Sequence, residues 1–191
     1  MNLFIPSRVK WTEQNFALQQ ETQYPESEAV QFRITQPGKE NITLHIRRPQ
    51  WVNGNVNIWI NRKPYRATPA TGGYLTINHS WKKGDVVKVV FPLQLHLEAT
   101  PDNPNIAAFL YGPVVLAGEL GRKDLGNVSF MADGNMFANE KAPELAKVPV
   151  LIADKEKLED WITPIPGKPL TFKAKTGQAE ITLKPFYIIH D

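Results

Sequence analysis

The runs Ile42–Trp51 (ITLHIRRPQW), Val56–Tyr65 (VNIWINRKPY) and Gly73–Phe91 (GYLTINHSWKKGDVVKVVF) decide the fold class. Ile42, Leu44 and Ile46 share one face of an extended chain, with Thr43, His45 and Arg47 on the other. Val56, Ile58 and Ile60 repeat this alternation, as do Leu75 with Ile77, and Val87 with Val89 and Phe91. Strands of this kind bury one face and wet the other, which suits antiparallel sheets stacked in a sandwich. The pattern predicts an architecture and no reaction.

Working outward, Pro37-Gly38 before this stretch is a turn, because Pro fixes φ and Gly accepts positive φ. Upstream lie predicted strands over residues 2–7, 16–22 and 29–35, the last two separated by Tyr24-Pro25. Inside the stretch, turns are expected at Asn61-Arg62 and at Lys83-Gly84-Asp85. Trp81, just before the second of these, is expected to cover the open end of the core. Downstream, Leu93, Leu95 and Leu97 alternate with polar residues.

Pro101-Asp102-Asn103-Pro104 is the clearest break, which places one β-sandwich domain at 1–100 and a smaller β-rich domain at 101–191. In the second, Ile106–Leu110 and Val114–Leu116 flank Tyr111-Gly112-Pro113 and read as a strand buried on both faces or running through an interface. Residues 121–143 read as a long loop and residues 148–153 as a strand. A short helix is expected near 154–161, started by Asp154. Leu170, Phe172 and Ala174, then Ile181 and Leu183, alternate again, and Phe186–Ile189 reads as a final core strand. The expectation is an all-β chain of two antiparallel, jelly-roll-like β-sandwich domains. An opening on Leu3-Phe4-Ile5 and an apolar close give it the look of a piece of a longer protein.

With 191 residues, 42% hydrophobic and 21% charged, the chain is long enough for real cores. It has no cysteine, which excludes disulfides, thiolate nucleophiles and cysteine-ligated metals. No apolar run approaches the roughly 20 residues that span a bilayer, and the N-terminus lacks the pattern of a signal peptide. Residues 1–100 hold 12 Lys/Arg against 7 Asp/Glu, while 101–191 hold 10 against 12. Much of the basic excess comes from Arg47, Arg48, Arg62, Lys63, Arg66, Lys82 and Lys83, near Trp51, Trp59, Tyr65 and Trp81. Basic residues among aromatics suit nucleic acid, but solvated strand faces explain them better, and an interdomain surface comes next.

No metal-binding histidine pair, nucleophile elbow, P-loop or dinucleotide fingerprint occurs. The dense acidic groups, Glu26 with Glu28 and Glu156 with Glu159 and Asp160, fall on a polar turn and an exposed helix face. Neither makes the carboxylate pair of a hydrolase. Asn41, Asn78 and Asn127 open glycosylation sequons, a match common by chance. No catalytic, cofactor or metal residue is predicted. The candidates for contact with a glycan or another domain are Arg47, Arg48, Trp51, Trp59, Tyr65, Tyr74 and Trp81.

A series of short motifs then points to a family. They are Asn2–Ser7, Thr22-Gln23-Tyr24-Pro25, Leu44-x-Ile46-Arg47-x-Pro49-x-Trp51, Gly73-Tyr74-Leu75, Trp81-Lys82-x-Gly84-Asp85, Leu110–Val115 and Leu183–Tyr187. In this order they resemble the C-terminal, non-catalytic part of glycoside hydrolase family 127, the β-L-arabinofuranosidase-like enzymes of bacteria. Departures are Arg48 at an apolar position, Arg62 for the Gly of an Asn-Gly turn, and Tyr111 for Arg. The resemblance implies an (α/α)6 catalytic barrel upstream, carrying a cysteine nucleophile and a zinc site of cysteines and a glutamate. None of those residues maps onto this chain. It further implies a role in plant glycan degradation, in the periplasm or outside the cell, with this chain buttressing the barrel. The alternative is a carbohydrate-binding module that presents Trp or Tyr to a glycan. Expected partners are the barrel, a glycan and a second copy of the chain, with no nucleic acid and no membrane.

Overall fold

The structure is a computed structural model that describes residues 1–104, 106–120, 156–176 and 179–189. The chain divides into two compact units, Met1–His96 with Leu110–Val114, and Leu97–Phe109 with Val115–Asp191.

In the first unit the strands run β1 (Ser7–Trp11), β2 (Phe16–Thr22), β3 (Ala29–Pro37), β4 (Thr43–Arg47), β5 (Asn57–Ile60), β6 (Lys63–Tyr65), β7 (Thr68–Ala70), β8 (Tyr74–Asn78) and β9 (Val86–Val90). They form a six-stranded sheet in the order β1-β2-β3-β9-β5-β6 and a three-stranded sheet in the order β4-β8-β7. The chain crosses repeatedly between the two, so the sequence-distant β9 sits between β3 and β5, antiparallel to both. The predicted alternation is what joins the layers. Val30, Phe32 and Ile34 from β3, Ile58 and Ile60 from β5, and Val87 and Val89 from β9 share one core with Leu44 and Ile46 of β4 and Ile77 of β8. Proline marks the edges: Pro64 lies in β6 and Pro69 in β7, both outermost strands, where a missing ladder donor costs least.

The turns follow their chemistry. Asn61 and Arg62 both adopt positive φ, 51° and 68°, in the two-residue hairpin between β5 and β6. The turn into β9 is held by Asp85, whose Oδ2 accepts from the Lys82 backbone N–H at 2.7 Å. Asp85 Oδ1 accepts from Asn61 Nδ2 at 2.8 Å, and Asn61 Oδ1 accepts from the Val86 backbone N–H at 2.9 Å, which clamps the two turns together.

The predicted strand over residues 2–7 is corrected. Pairing begins at Ser7, and Pro6 has no N–H to extend the ladder. Residues 2–6 are fixed instead by Gln20 of β2, whose Nε2 donates to Leu3 O at 3.0 Å and Ile5 O at 2.6 Å. Phe4 is driven into the core, its ring centroid 4.7 Å from that of Phe91, while Leu3 and Ile5 stay exposed.

The second unit is built on a six-stranded sheet of β10 (Leu95–Ala99), β11 (Ala107–Tyr111), β12 (Val114–Gly118), β13 (Ile162–Pro164), β14 (Phe172–Thr176) and β15 (Ala179–Pro185). Its order is β10-β11-β12-β15-β14-β13, and the turn joining β11 to β12 groups with the first unit. Leu116, Leu158, Ile162, Phe172, Ala174 and Leu183 are buried. The expected helix is observed as a single 3-10 turn, Leu158–Asp160. Two expectations are overturned. Burial on both faces is excluded for the Ile106–Leu116 stretch: Ile106 and Val115 are exposed while Leu110, Val114 and Leu116 are buried, so this hairpin hides one face. The apolar close is no core strand either: β15 ends at Pro185, and Phe186–Ile188 wind into an exposed 3-10 turn. Apolar content cannot separate these cases, because a lone exposed hydrophobe is common. The predicted loop at 121–143, strand at 148–153 and cap at Asp154 lie outside the described residues.

Candidate functional site

Two clefts on the first unit gather four of the seven candidate side chains. The larger, about 1040 Å³, includes Arg48, Trp59, Tyr65, Arg66 and Tyr74 in its lining. The smaller, about 790 Å³, is lined by Gln31, Arg33, Trp59, Asn61, Arg62, Val86 and Lys88. Trp59, half-buried on β5, borders both.

In the larger cleft three of the polar side chains already have work to do. Arg48 follows β4, and its guanidinium donates to Val52 O at 2.6 Å and Gly54 O at 3.1 Å, which ties down the loop after Pro49. The Tyr65 hydroxyl donates to Asn78 O at 2.9 Å and accepts from the Asn78 N–H at 3.1 Å, which stitches β6 of one sheet to β8 of the other. The Tyr74 hydroxyl donates to Asn2 Oδ1. These three candidates are therefore structural ties that also line a cleft.

The other three candidates lie elsewhere. Arg47 is exposed, with its side chain on the outer face of β4. Trp51 is half-buried, stacked with its centroid 6.3 Å from that of Tyr24. Trp81 is 8% exposed, belongs to the core, and donates its indole N–H to Ile42 O at 2.6 Å. The His79 ring packs edge-on against it at 5.0 Å.

Neither cleft has an Asp, Glu or His in its lining, so what both offer is stacking, hydrogen bonding and positive charge, with no carboxylate or imidazole. Among the described residues, no group of three or more His, Asp or Glu side chains is close enough to hold a metal ion. A zinc site built from cysteines does not fit this chain, which has none. Burial pushes the Tyr24 phenol well above its ordinary range, against a smaller opposite pull from its hydrogen bond with Trp51. Burial also raises the Tyr111 phenol, with help from the Glu28 carboxylate. Glu28 is itself occupied, accepting from the Leu93 N–H at 2.8 Å.

Sequence reasoning passed over Gln31, Arg33 and Lys88. The signal was present, since each sits between buried neighbours on an alternating strand. What was missing was the pairing of β9 with both β3 and β5, which no local pattern reports.

The residues 1–93 that carry both clefts match the family model described as beta-L-arabinofuranosidase, GH127 middle domain. Residues 96–191 match a second model, DUF4986, a domain of unknown function. The chain is a GH127 middle domain followed by a DUF4986 domain. Three solved structures share the fold of this pair. One titled a glycoside hydrolase is 20% identical with a TM-score of 0.60, over 95% of this chain. A GH127 beta-L-arabinofuranosidase from Geobacillus stearothermophilus T6 is 22% identical with a TM-score of 0.61, over 98%. A GH127 beta-arabinofuranosidase is 21% identical with a TM-score of 0.56, over 95%. The chain spans 31% of the length of each. No curated protein matches it. All seven candidate residues lie within the GH127 middle domain, and the chain as a whole is an accessory region related to glycoside hydrolases.

Proposed function

We propose that this chain is the accessory β-sandwich region of a β-L-arabinofuranosidase-like glycoside hydrolase, and that it buttresses a catalytic barrel lying outside it. The observation that carries this reading is the match of residues 1–93 to the GH127 middle domain, a segment whose two basic-aromatic clefts are lined by no carboxylate. Turnover, and any zinc, then belong to the barrel. The setting that fits is bacterial breakdown of plant glycans in the periplasm or outside the cell.

The docking face proposed for the barrel is the N-terminal segment. Leu3 and Ile5 are 68% and 58% exposed although the segment is rigidly held by Gln20 and Phe4. Arg47 adds an exposed cation near it, since its backbone N–H donates to Met1 O at 2.9 Å. Exposed apolar side chains on a fixed backbone suit a partner surface.

The test is to produce the chain alone and together with the coding region upstream of it, and assay both on a chromogenic β-L-arabinofuranoside. Turnover is expected only from the longer protein, and Leu3→Asp with Ile5→Asp should lower its thermal stability more than that of the chain alone. Turnover by the chain alone, abolished by a substitution within it, would refute the proposal.

A further inference from the structure

The outer face of the six-stranded sheet carries a site that buttressing does not use. Val30, Phe32 and Ile34 point into the core, so Gln31 and Arg33 stand on the opposite face of β3. By the same alternation Lys88 projects outward from β9 and Trp59 from β5. The register sets Gln31 opposite Lys88 and Lys88 opposite Trp59, so the three form one row about 10 Å long, two strand spacings. Arg33 lies in the next outward row of β3, and Arg62 in the turn at the end of β5. Together with Asn61 and Val86 they enclose the cleft of about 790 Å³, a size that suits a small ligand.

Three observations point to an anion there. The lining carries three cations and no carboxylate. Among the described residues Arg33 has only a loose neighbour, Glu21 Oε1 at 3.9 Å from its Nε, with both side chains 45% exposed, so water screens the pair and leaves the guanidinium available. Arg62 is held at φ 68°, a conformation in which glycine would sit without strain. A strained arginine at the rim of a basic cleft suggests that its side chain matters more than the ease of the turn.

One feature narrows the anion. Lys88 Nζ stands 5.7 Å from the Trp59 ring centroid, so a cation and an aromatic platform share one spot, with the Gln31 amide beside them. We infer that this face binds an acidic saccharide, a chain bearing uronate units. Trp59 would stack against the apolar face of a sugar ring, Arg33, Arg62 and Lys88 would meet its carboxylate, and Gln31 would bridge ring hydroxyls. Single-stranded nucleic acid prefers a succession of aromatic platforms along a groove, and this cleft has one. The inference concerns the chain's own surface and stands whether or not a barrel docks elsewhere.

The test is calorimetric titration of the whole chain with tetragalacturonate and with a glucuronate-bearing xylo-oligosaccharide. Cellotetraose, polyglutamate and a single-stranded oligonucleotide serve as controls. Saturable binding of at least one uronate ligand is expected, weakening as salt shortens the screening length, with no binding of cellotetraose. Arg62→Gly is the decisive variant: it should fold at least as stably as the parent and bind roughly three- to tenfold more weakly. Trp59→Ala should lose roughly tenfold or more. The inference is overturned if neither uronate ligand binds, if polyglutamate or the oligonucleotide binds as well, or if Arg62→Gly binds like the parent.

Discussion

Trp81 offers the sharpest test of how the first unit is held together. Its indole is 8% exposed, sits in the same core as Phe32, Ile46 and Ile77, and donates to Ile42 O at 2.6 Å. Truncation to alanine removes a large buried ring and strands that carbonyl. The cost expected for a buried Trp or Phe is about 3–5 kcal/mol, and an unpaired buried acceptor supplies about 1–3 kcal/mol where no water replaces the donor. Against a usual domain stability of about 5–15 kcal/mol, this removes much of what the first unit has. Its thermal midpoint should fall by more than about 10 °C. Trp81→Phe keeps most of the ring and loses only the donor, so it should fall between the two. Calorimetry and urea denaturation together would measure this, with the second unit's transition as an internal reference. If Trp81→Ala leaves the first transition unmoved and lowers affinity for a glycan instead, the core assignment is wrong.

Asp85→Ala removes the acceptor for both Asn61 and the Lys82 N–H, and should cost about 1–3 kcal/mol in urea denaturation; an unchanged midpoint would mean that the clamp between the turns is not needed. Gly112 has φ 56°, and a Cβ there would fall on the Leu93 side chain, so Gly112→Ala should destabilise by about 1–3 kcal/mol, and a variant as stable as the parent would disprove this. The half-buried Tyr24 phenol is pushed up, so above about pH 10 the unfolded chain releases a proton that the folded chain retains. Stability should therefore fall as pH rises past that point, and Tyr24→Phe should fall less steeply; parallel stability–pH curves would contradict the assignment.

The strands of the central stretch were legible because alternation is a local property. Leu44, Ile46, Ile58, Ile77, Val87 and Val89 are buried on the face their spacing assigns. The Asn61-Arg62 turn was legible from position alone, although arginine is no natural occupant of positive φ. Failures came where a side chain replaced the backbone as organiser. Residues 2–6 carry a strand-like apolar run, yet Gln20 takes the carbonyls of Leu3 and Ile5 and no ladder forms. Phe186–Ile188 were apolar enough for a strand, and Pro185 ended the pairing before them. Burial of single aromatics was half legible. The expectation for Trp81 followed from its place before a turn, whereas nothing local distinguishes Trp59, which borders two clefts, from Trp51, which stacks on Tyr24.

The two clefts differ in a way that exposure or charge alone does not reveal. In the larger, Arg48, Tyr65 and Tyr74 all bond to the chain's own groups. A ligand would have to displace bonds that hold a loop and two sheets in place, and each broken bond would leave an acceptor to be satisfied again. In the smaller, Asn61 is committed to Asp85 and Val86, but the three cations around Trp59 project from strands and a turn fixed without them. Their binding capacity is therefore separable from folding. A surface that serves only to buttress has no need of such a separation, and this is why Arg62→Gly, expected to ease the turn while removing a cation, discriminates between a decorated scaffold and a binding face.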